Sequence, residues 1–194
     1  MSFAHLDQQL NAVRASTDVP DFADDVWGSL ATTVHAEVAA LGDAVHNQLR
    51  LQLLIPPERY IDELTAFQAW MEVARANATN PVIVRAQVMT EIYVAFVWLR
   101  DSLMKPVAAR APEDSVVRSV HRFLSTGRRR LLRNAIAHGH WCYLSDSKGL
   151  EYWAEPSRAE RHQRFAISQA DLDAWQLLAR GTAIATLLAV ADDH

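Results

Sequence analysis

Between positions 133 and 138 the chain reads Arg-Asn-Ala-Ile-Ala-His, which sets a guanidinium, a carboxamide and an imidazole along one short segment. These groups suit the cleavage of an RNA phosphodiester without a metal. The adjacent 2′-hydroxyl attacks phosphorus, so one group must remove its proton and another must protonate the leaving 5′-oxygen. An imidazole, with an ordinary pKa of about 6.5, can do either. Negative charge gathers on the non-bridging oxygens, where a fixed guanidinium stabilises it. The Asn134 amide can donate to phosphate or hold its neighbour. Composition alone yields an Arg-Asn pair with His four places after the Asn only about 0.02 times in such a chain.

Spacing sets a condition on this chemistry. Arg133 and His138 are five residues apart, so on a regular helix they project roughly 140° from one another. They meet at one phosphate only if the helix frays ahead of Gly139 or if a second subunit supplies the opposite group. The competing reading is structural: Arg133 in an ion pair and His138 at the negative end of a helix, beside a glycine stop.

The surroundings favour an anionic partner. From Ser115 to Leu144 there are six Arg, three His and no Asp or Glu. That stretch carries +6 and the rest of the chain −10, for a net charge of −4. Lysine occurs only at 105 and 148, so the positive charge is nearly all guanidinium, the better fork for phosphate. Arg128, Arg129 and Arg130 extend the motif backward, with Arg129 and Arg130 on the face of Arg133, as a backbone track or as a solvated surface. His140 can assist His138. No carboxylate or thiolate other than Cys142 lies near that pair in sequence, so no metal site is expected. Asp101 and Glu91 are candidates to orient the motif side chains from behind, against the competing readings that Asp101 pairs with Arg100 or Lys105 or that these carboxylates are simply solvated. Trp141, Tyr143, Tyr152 and Trp153 could stack bases or pack a hairpin onto the rest of the fold.

The elements that must hold these groups are mostly helices. Segments over Phe3–Arg14, Asp21–Leu54 and Pro57–Ala76 have helical apolar spacing, and Pro56-Pro57 divides the last two. Pro81–Met104 is apolar on nearly every side from Ile92 to Leu99, which predicts a central helix. A helix from Pro112 to His138 is interrupted at Ser125-Thr126-Gly127 and ends at Gly139. The period then changes to two. Trp141–Leu144, a turn over Ser145–Gly149 and Leu150–Ala154 predict a β-hairpin, a polar loop follows over Glu155–Gln163, and Arg164–Ile167 reads as extended. Ser168 can cap the last helix, with Asp171 at its positive end. The expected fold is therefore all-α, one helical bundle over 1–194 with a small β-hairpin inserted before the C-terminal helix. The motif-bearing core is expected over 81–194, with the helices of 1–77 as an elaboration.

Composition narrows the setting. Half the residues are apolar and 22% charged, which excludes a disordered chain. One cysteine rules out an internal disulfide framework and fits a reducing cytoplasm. The N-terminus has no signal-peptide pattern, and the longest strongly apolar uncharged run, Gly181–Ala191, is too short to span a bilayer, so no membrane partner is expected.

The R-N-x-x-x-H signature, here RNAIAH followed by Gly139 at the end of a helix and preceded by a nearly all-apolar helix, resembles the HEPN superfamily. That resemblance implies a helical bundle that dimerises, with Arg133, Asn134 and His138 lining a composite cleft. It implies a metal-independent endoribonuclease without a cofactor, leaving 2′,3′-cyclic phosphate ends. It also implies a toxin or phage-defence effector, in some cases with an antitoxin partner. Because the family includes members that bind nucleotide or serve structurally, a non-catalytic module binding nucleotide, RNA or a partner protein is the alternative.

Overall fold

The computed structural model describes residues 3–53, 55–77, 79–145, 148–153 and 163–191. The chain is mostly helical, 74%, with a small three-stranded antiparallel sheet. Helix α1 (Phe3–Val13) is followed by α2 (Asp24–Gly28), α3 (Leu30–Ala39) and α4 (Asp43–Leu53). The single helix expected over Asp21–Leu54 is thus three. It breaks at Ser29, whose backbone leaves helical geometry, and at Gly42, which adopts φ +79°. Helix α5 (Pro57–Asn77) precedes α6 (Pro81–Tyr93), which Asn80 caps by accepting from Val82 N.

From Val94 to Met104 the backbone bonds as a π-helix before α7 (Lys105–Ala108) resumes α geometry. This π segment is eleven residues long, where single-turn bulges are the rule. Helices α8 (Val116–Ser125) and α9 (Gly127–His138) follow, then strands β1 (Trp141–Tyr143), β2 (Gly149–Trp153) and β3 (Arg164–Ser168), and last α10 (Gln169–Ala191).

The strands pair in order β1-β2-β3, with Cys142 opposite Glu151 and Glu151 opposite Ala166. The expected hairpin is therefore two thirds of a sheet, because the extended piece after it pairs back onto β2. The polar loop expected over Glu155–Gln163 lies, apart from Gln163, outside the described residues. So do Ala154 and the middle of the turn over Ser145–Gly149.

Helix α10 is the centre of the fold, packing on α1, α3, α5, the π segment and α8. The contact with α1 is close: a Cβ on Gly181 would come within 2.6 Å of Leu10. One buried cluster runs from Leu6 through Leu64 to Val190, so the helices of 1–77 share the core with the motif-bearing half. At the head of α10, Ser168 Oγ accepts from Asp171 N, and Asp171 in turn accepts from Ser16 and Thr17.

The expectation that Pro81–Met104 sits in the middle holds for Ile92, Phe96, Leu99 and Met104, which are buried, but not for α6 ahead of them. Pro81–Ala108 and Gln169–Ala191 are both long and apolar enough to cross a membrane, contrary to the limit drawn from the eleven-residue run. The apolar window of α10 is 72% buried, that of Pro81–Ala108 only 28%. Val82, Ile83, Met89 and Tyr93 on α6 all stand exposed. An apolar composition calls for cover on every side, but this chain covers α6 on only part of its circumference.

Candidate functional site

The motif helix is set in place by its predecessor. At the start of α8, Glu37 accepts from Val116 N at 2.7 Å and from Val117 N at 2.9 Å, satisfying free donors of the first turn. Val117, Val120 and Leu124 bury one face of α8, and Leu132, Ala135 and Ile136 bury the matching face of α9. The two helices are joined at Thr126 and Gly127, the latter at φ +53°.

The far end of α9 is closed by Gly139 at φ +72°, a conformation that a side chain would strain. Gly139 N donates to Ile136 O, and His140 N donates to Ala135 O at 2.8 Å, the pattern of a Schellman cap. The helix therefore stays regular through His138. One of the two routes by which Arg133 and His138 could meet, fraying of the last turn, is not used.

Arg133 is positioned from two sides. Its Nε and Nη2 donate to Asn134 Oδ1 at 3.0 and 2.8 Å. Its Nη1 lies 3.7 Å from Asp101 Oδ2, on the π segment. Asp101 is itself gripped by Arg100, whose Nε and Nη2 donate to Oδ1 and whose Nη2 donates to Oδ2 at 2.6 Å. Burial and the charge of Arg100 push the Arg133 pKa down, Asp101 opposing and Arg130 adding to the fall. The Arg133 side chain is 28% exposed and faces a shallow apolar hollow beside Met89, Tyr93 and Ala137. The sequence offered Asp101 either as an orienting group or as a partner of Arg100, and the structure sets it tightly on Arg100 and more loosely beside Arg133.

His138 is exposed and makes no hydrogen bond among the described residues. Its ring stacks on that of His140 at 5.9 Å between centroids, and His140 stacks on Trp153 at 6.3 Å. Arg164 lies over the Trp153 ring at 5.0 Å and pairs with Glu151. The imidazole thus ends a column of rings that runs from the motif across the sheet. Of the other hairpin aromatics, Trp141 and Tyr152 are fully buried, and burial pushes the Tyr152 phenol up to about 12. These two pack the sheet against the helices.

The remaining candidates divide sharply. Arg128 and Arg130 are exposed, and Arg130 has no hydrogen bond or ion pair among the described residues. Arg129 does not belong with them. Its Nη1 donates to both carboxylate oxygens of Asp18 at 2.9 and 2.7 Å, its Nε donates to Phe123 O, and its guanidinium lies 3.9 Å over the Phe123 ring. With the side chain only 12% exposed, Arg129 locks α9 to the loop before α2 and offers nothing to a phosphate. Glu91 is likewise removed from the motif. It pairs with Arg75 of α5, on the side of α6 turned away from Met89 and Tyr93.

Two features escaped the sequence reading. Arg100, already a candidate partner of Asp101 from sequence, is charged yet 3% exposed, a depth that its adjacency to Asp101 did not signal. His121 on α8 is half-buried, with Nε2 3.2 Å from Ser125 Oγ. Burial pushes its pKa down, Arg100 and Lys105 add to the fall, and Asp101 opposes them. Its position within the basic stretch, twelve residues before Arg133, was the available signal.

No group of three or more His, Cys, Asp or Glu among the described residues is placed to hold a metal ion. The chain matches no family model, no curated protein and no solved structure.

Proposed function

We propose that this protein is a metal-independent endoribonuclease of the HEPN type, working as a dimer. The observation that carries the reading is the division of labour at the end of α9. Arg133 is held in one orientation by Asn134 and Asp101, while His138 stands exposed on a capped, regular helix end, its ring stacked on His140 and without a side-chain hydrogen bond among the described residues. Preorganised donors stabilise developing charge best when they need not rearrange. A proton carrier, by contrast, must be reachable by substrate.

In the proposed reaction one imidazole accepts the 2′-hydroxyl proton and the oxygen attacks phosphorus. Arg133 stabilises the charge on the phosphorane, with Asn134 fixing its guanidinium. The 5′-oxygen leaves with a proton donated by an imidazolium, that of the partner's His138 or the one just protonated, giving a 2′,3′-cyclic phosphate. Because α9 is regular, Arg133 and His138 of one chain diverge, so a second copy completes the cleft. The uncovered apolar side of α6, which adjoins the hollow beside Arg133, supplies the surface for that copy. Arg128 and Arg130 flank the motif as the backbone contacts. Such an activity fits a cytoplasmic toxin or phage-defence effector, with an antitoxin as its partner.

The test is cleavage of a labelled RNA in the presence of EDTA. Arg133→Ala and His138→Ala should each abolish cleavage while the helical circular dichroism stays unchanged. Activity that persists in both variants ends the proposal. The closed Arg133–Asn134–Asp101 cluster also favours a second reading, a binding module whose guanidinium is structural. Tight RNA binding with the RNA recovered intact would select it.

A further inference from the structure

On the other side of α6 from the motif, α5, α6, the π segment and α10 surround a cavity of about 290 Å³. We propose that it binds a small zwitterion with an apolar side chain, an α-amino acid of the leucine or phenylalanine class. Its carboxylate would sit on Arg180 and its ammonium toward Glu72.

Three features of the cavity lead there. Its walls are apolar, with Leu64, Phe67, Met71 and Leu99 among them, which suits a hydrocarbon or aromatic body. Arg180 lines it without a hydrogen bond or ion pair among the described residues, although the residue is largely buried. Gln176, one turn earlier on the same face of α10, also lines it and leaves its buried Nε2 unpaired. Buried donors ordinarily have acceptors, and a carboxylate matches the guanidinium fork with two oxygens.

The charges select a zwitterion over a simple anion. The carboxylates of Glu91 and Asp173 share the single guanidinium of Arg75, the second at 3.6 Å. Among the described residues Glu72 accepts only from Gln68 Nε2, at 3.0 Å. With Arg75 and Arg180 set against three carboxylates, the lining carries a surplus negative charge that repels polyphosphates and leaves Glu72 free for a cation. Burial pushes the Arg180 pKa down, with Glu72 and Glu91 pulling against it and Arg75 adding to the fall. The cost is burial, and a ligand carboxylate on the guanidinium fork would offset it with hydrogen bonds that no described residue supplies.

Isothermal titration of the intact protein with three probes tests this. L-phenylalanine should bind at least tenfold more tightly than 3-phenylpropionate, which lacks the ammonium, or 2-phenylethylamine, which lacks the carboxylate. Arg180→Gln should erase the advantage over the amine, and Glu72→Gln the advantage over the acid. Both variants should fold, since one removes an unpaired interior charge and the other changes an exposed side chain. L-phenylalanine binding no more tightly than either fragment, or a preference that survives Arg180→Gln, overturns the proposal. Neither outcome depends on RNA cleavage.

Discussion

Asp101 Oδ2 lies between two guanidiniums, 2.6 Å from Arg100 Nη2 and 3.7 Å from Arg133 Nη1. The two arginines differ in setting. The Arg100 side chain is 3% exposed and Arg133 28%, so the carboxylate compensates a buried charge on one side and aims a reachable one on the other. Asp101→Ala should therefore cost about 2 kcal/mol in chemical denaturation, below the 3–5 typical of a broken buried pair because Asp101 is partly solvated. Cleavage by the folded fraction should fall with little change in KM, as expected when a stabilising group loses its support. An unchanged kcat would make the cluster purely structural.

If Arg133 of one copy works with His138 of another, two dead variants can rescue each other. Mixing Arg133→Ala with His138→Ala and allowing subunit exchange yields heterodimers in which one of two composite sites keeps both groups. Recovered cleavage should approach about a quarter of the wild-type rate, since about half the dimers are mixed and each has one working site. No recovery after exchange, followed by native mass spectrometry to verify mixing, would place both groups on the same chain.

His121 gives a pH dependence of defined sign. Burial and the neighbouring Arg100 lower its folded pKa below the ordinary value of about 6.5, so the unfolded chain binds the proton more readily. Stability contributed by His121 is then full above pH about 6.5 and is lost as the pH falls toward the lowered folded value. The wild-type protein should lose more denaturation free energy between pH 7.5 and 5 than His121→Gln does. An equal loss in the two proteins would remove His121 from the cluster.

Much of this organisation was legible in the residues. Periodicity located the helices because apolar spacing in α8, α9 and α10 matches the faces they bury, whereas of the α5 stripe Leu64 and Met71 are buried and Trp70 is exposed. Glycine marked the end of α9 because only φ +72° completes its cap. Depth was legible only in part. The run Ile92–Leu99 reads as central, and Ile92, Phe96 and Leu99 are buried, but the reading did not carry back along α6, which is left largely open. The most deeply covered helix is α10, whose charged residues gather in its first half. Pairing across the fold was hidden as well. Arg129 and Arg130 are adjacent and alike in sequence, and only the approach of Asp18, 111 positions away, consumes one and spares the other. The same holds for Glu91, which local sequence could not assign to Arg75 rather than to the motif.

That difference between neighbours gives the sharpest mutational contrast. Arg129→Ala removes a guanidinium paired to Asp18 and stacked on Phe123, leaving a half-buried carboxylate uncompensated. The expected cost is about 2–4 kcal/mol in stability, with RNA affinity of the folded protein unchanged. Arg130→Ala removes an exposed guanidinium without a hydrogen bond or ion pair among the described residues, so stability should stay within about 0.5 kcal/mol. RNA binding should weaken instead, and the slope of log K against log salt should fall by about 0.7–1, one phosphate contact fewer. Filter binding across a salt series, together with urea denaturation, separates the two. If Arg129→Ala carried the loss of salt dependence and Arg130→Ala the loss of stability, the division drawn between them, and with it the placement of the phosphate track on the outer face of α9, would be reversed.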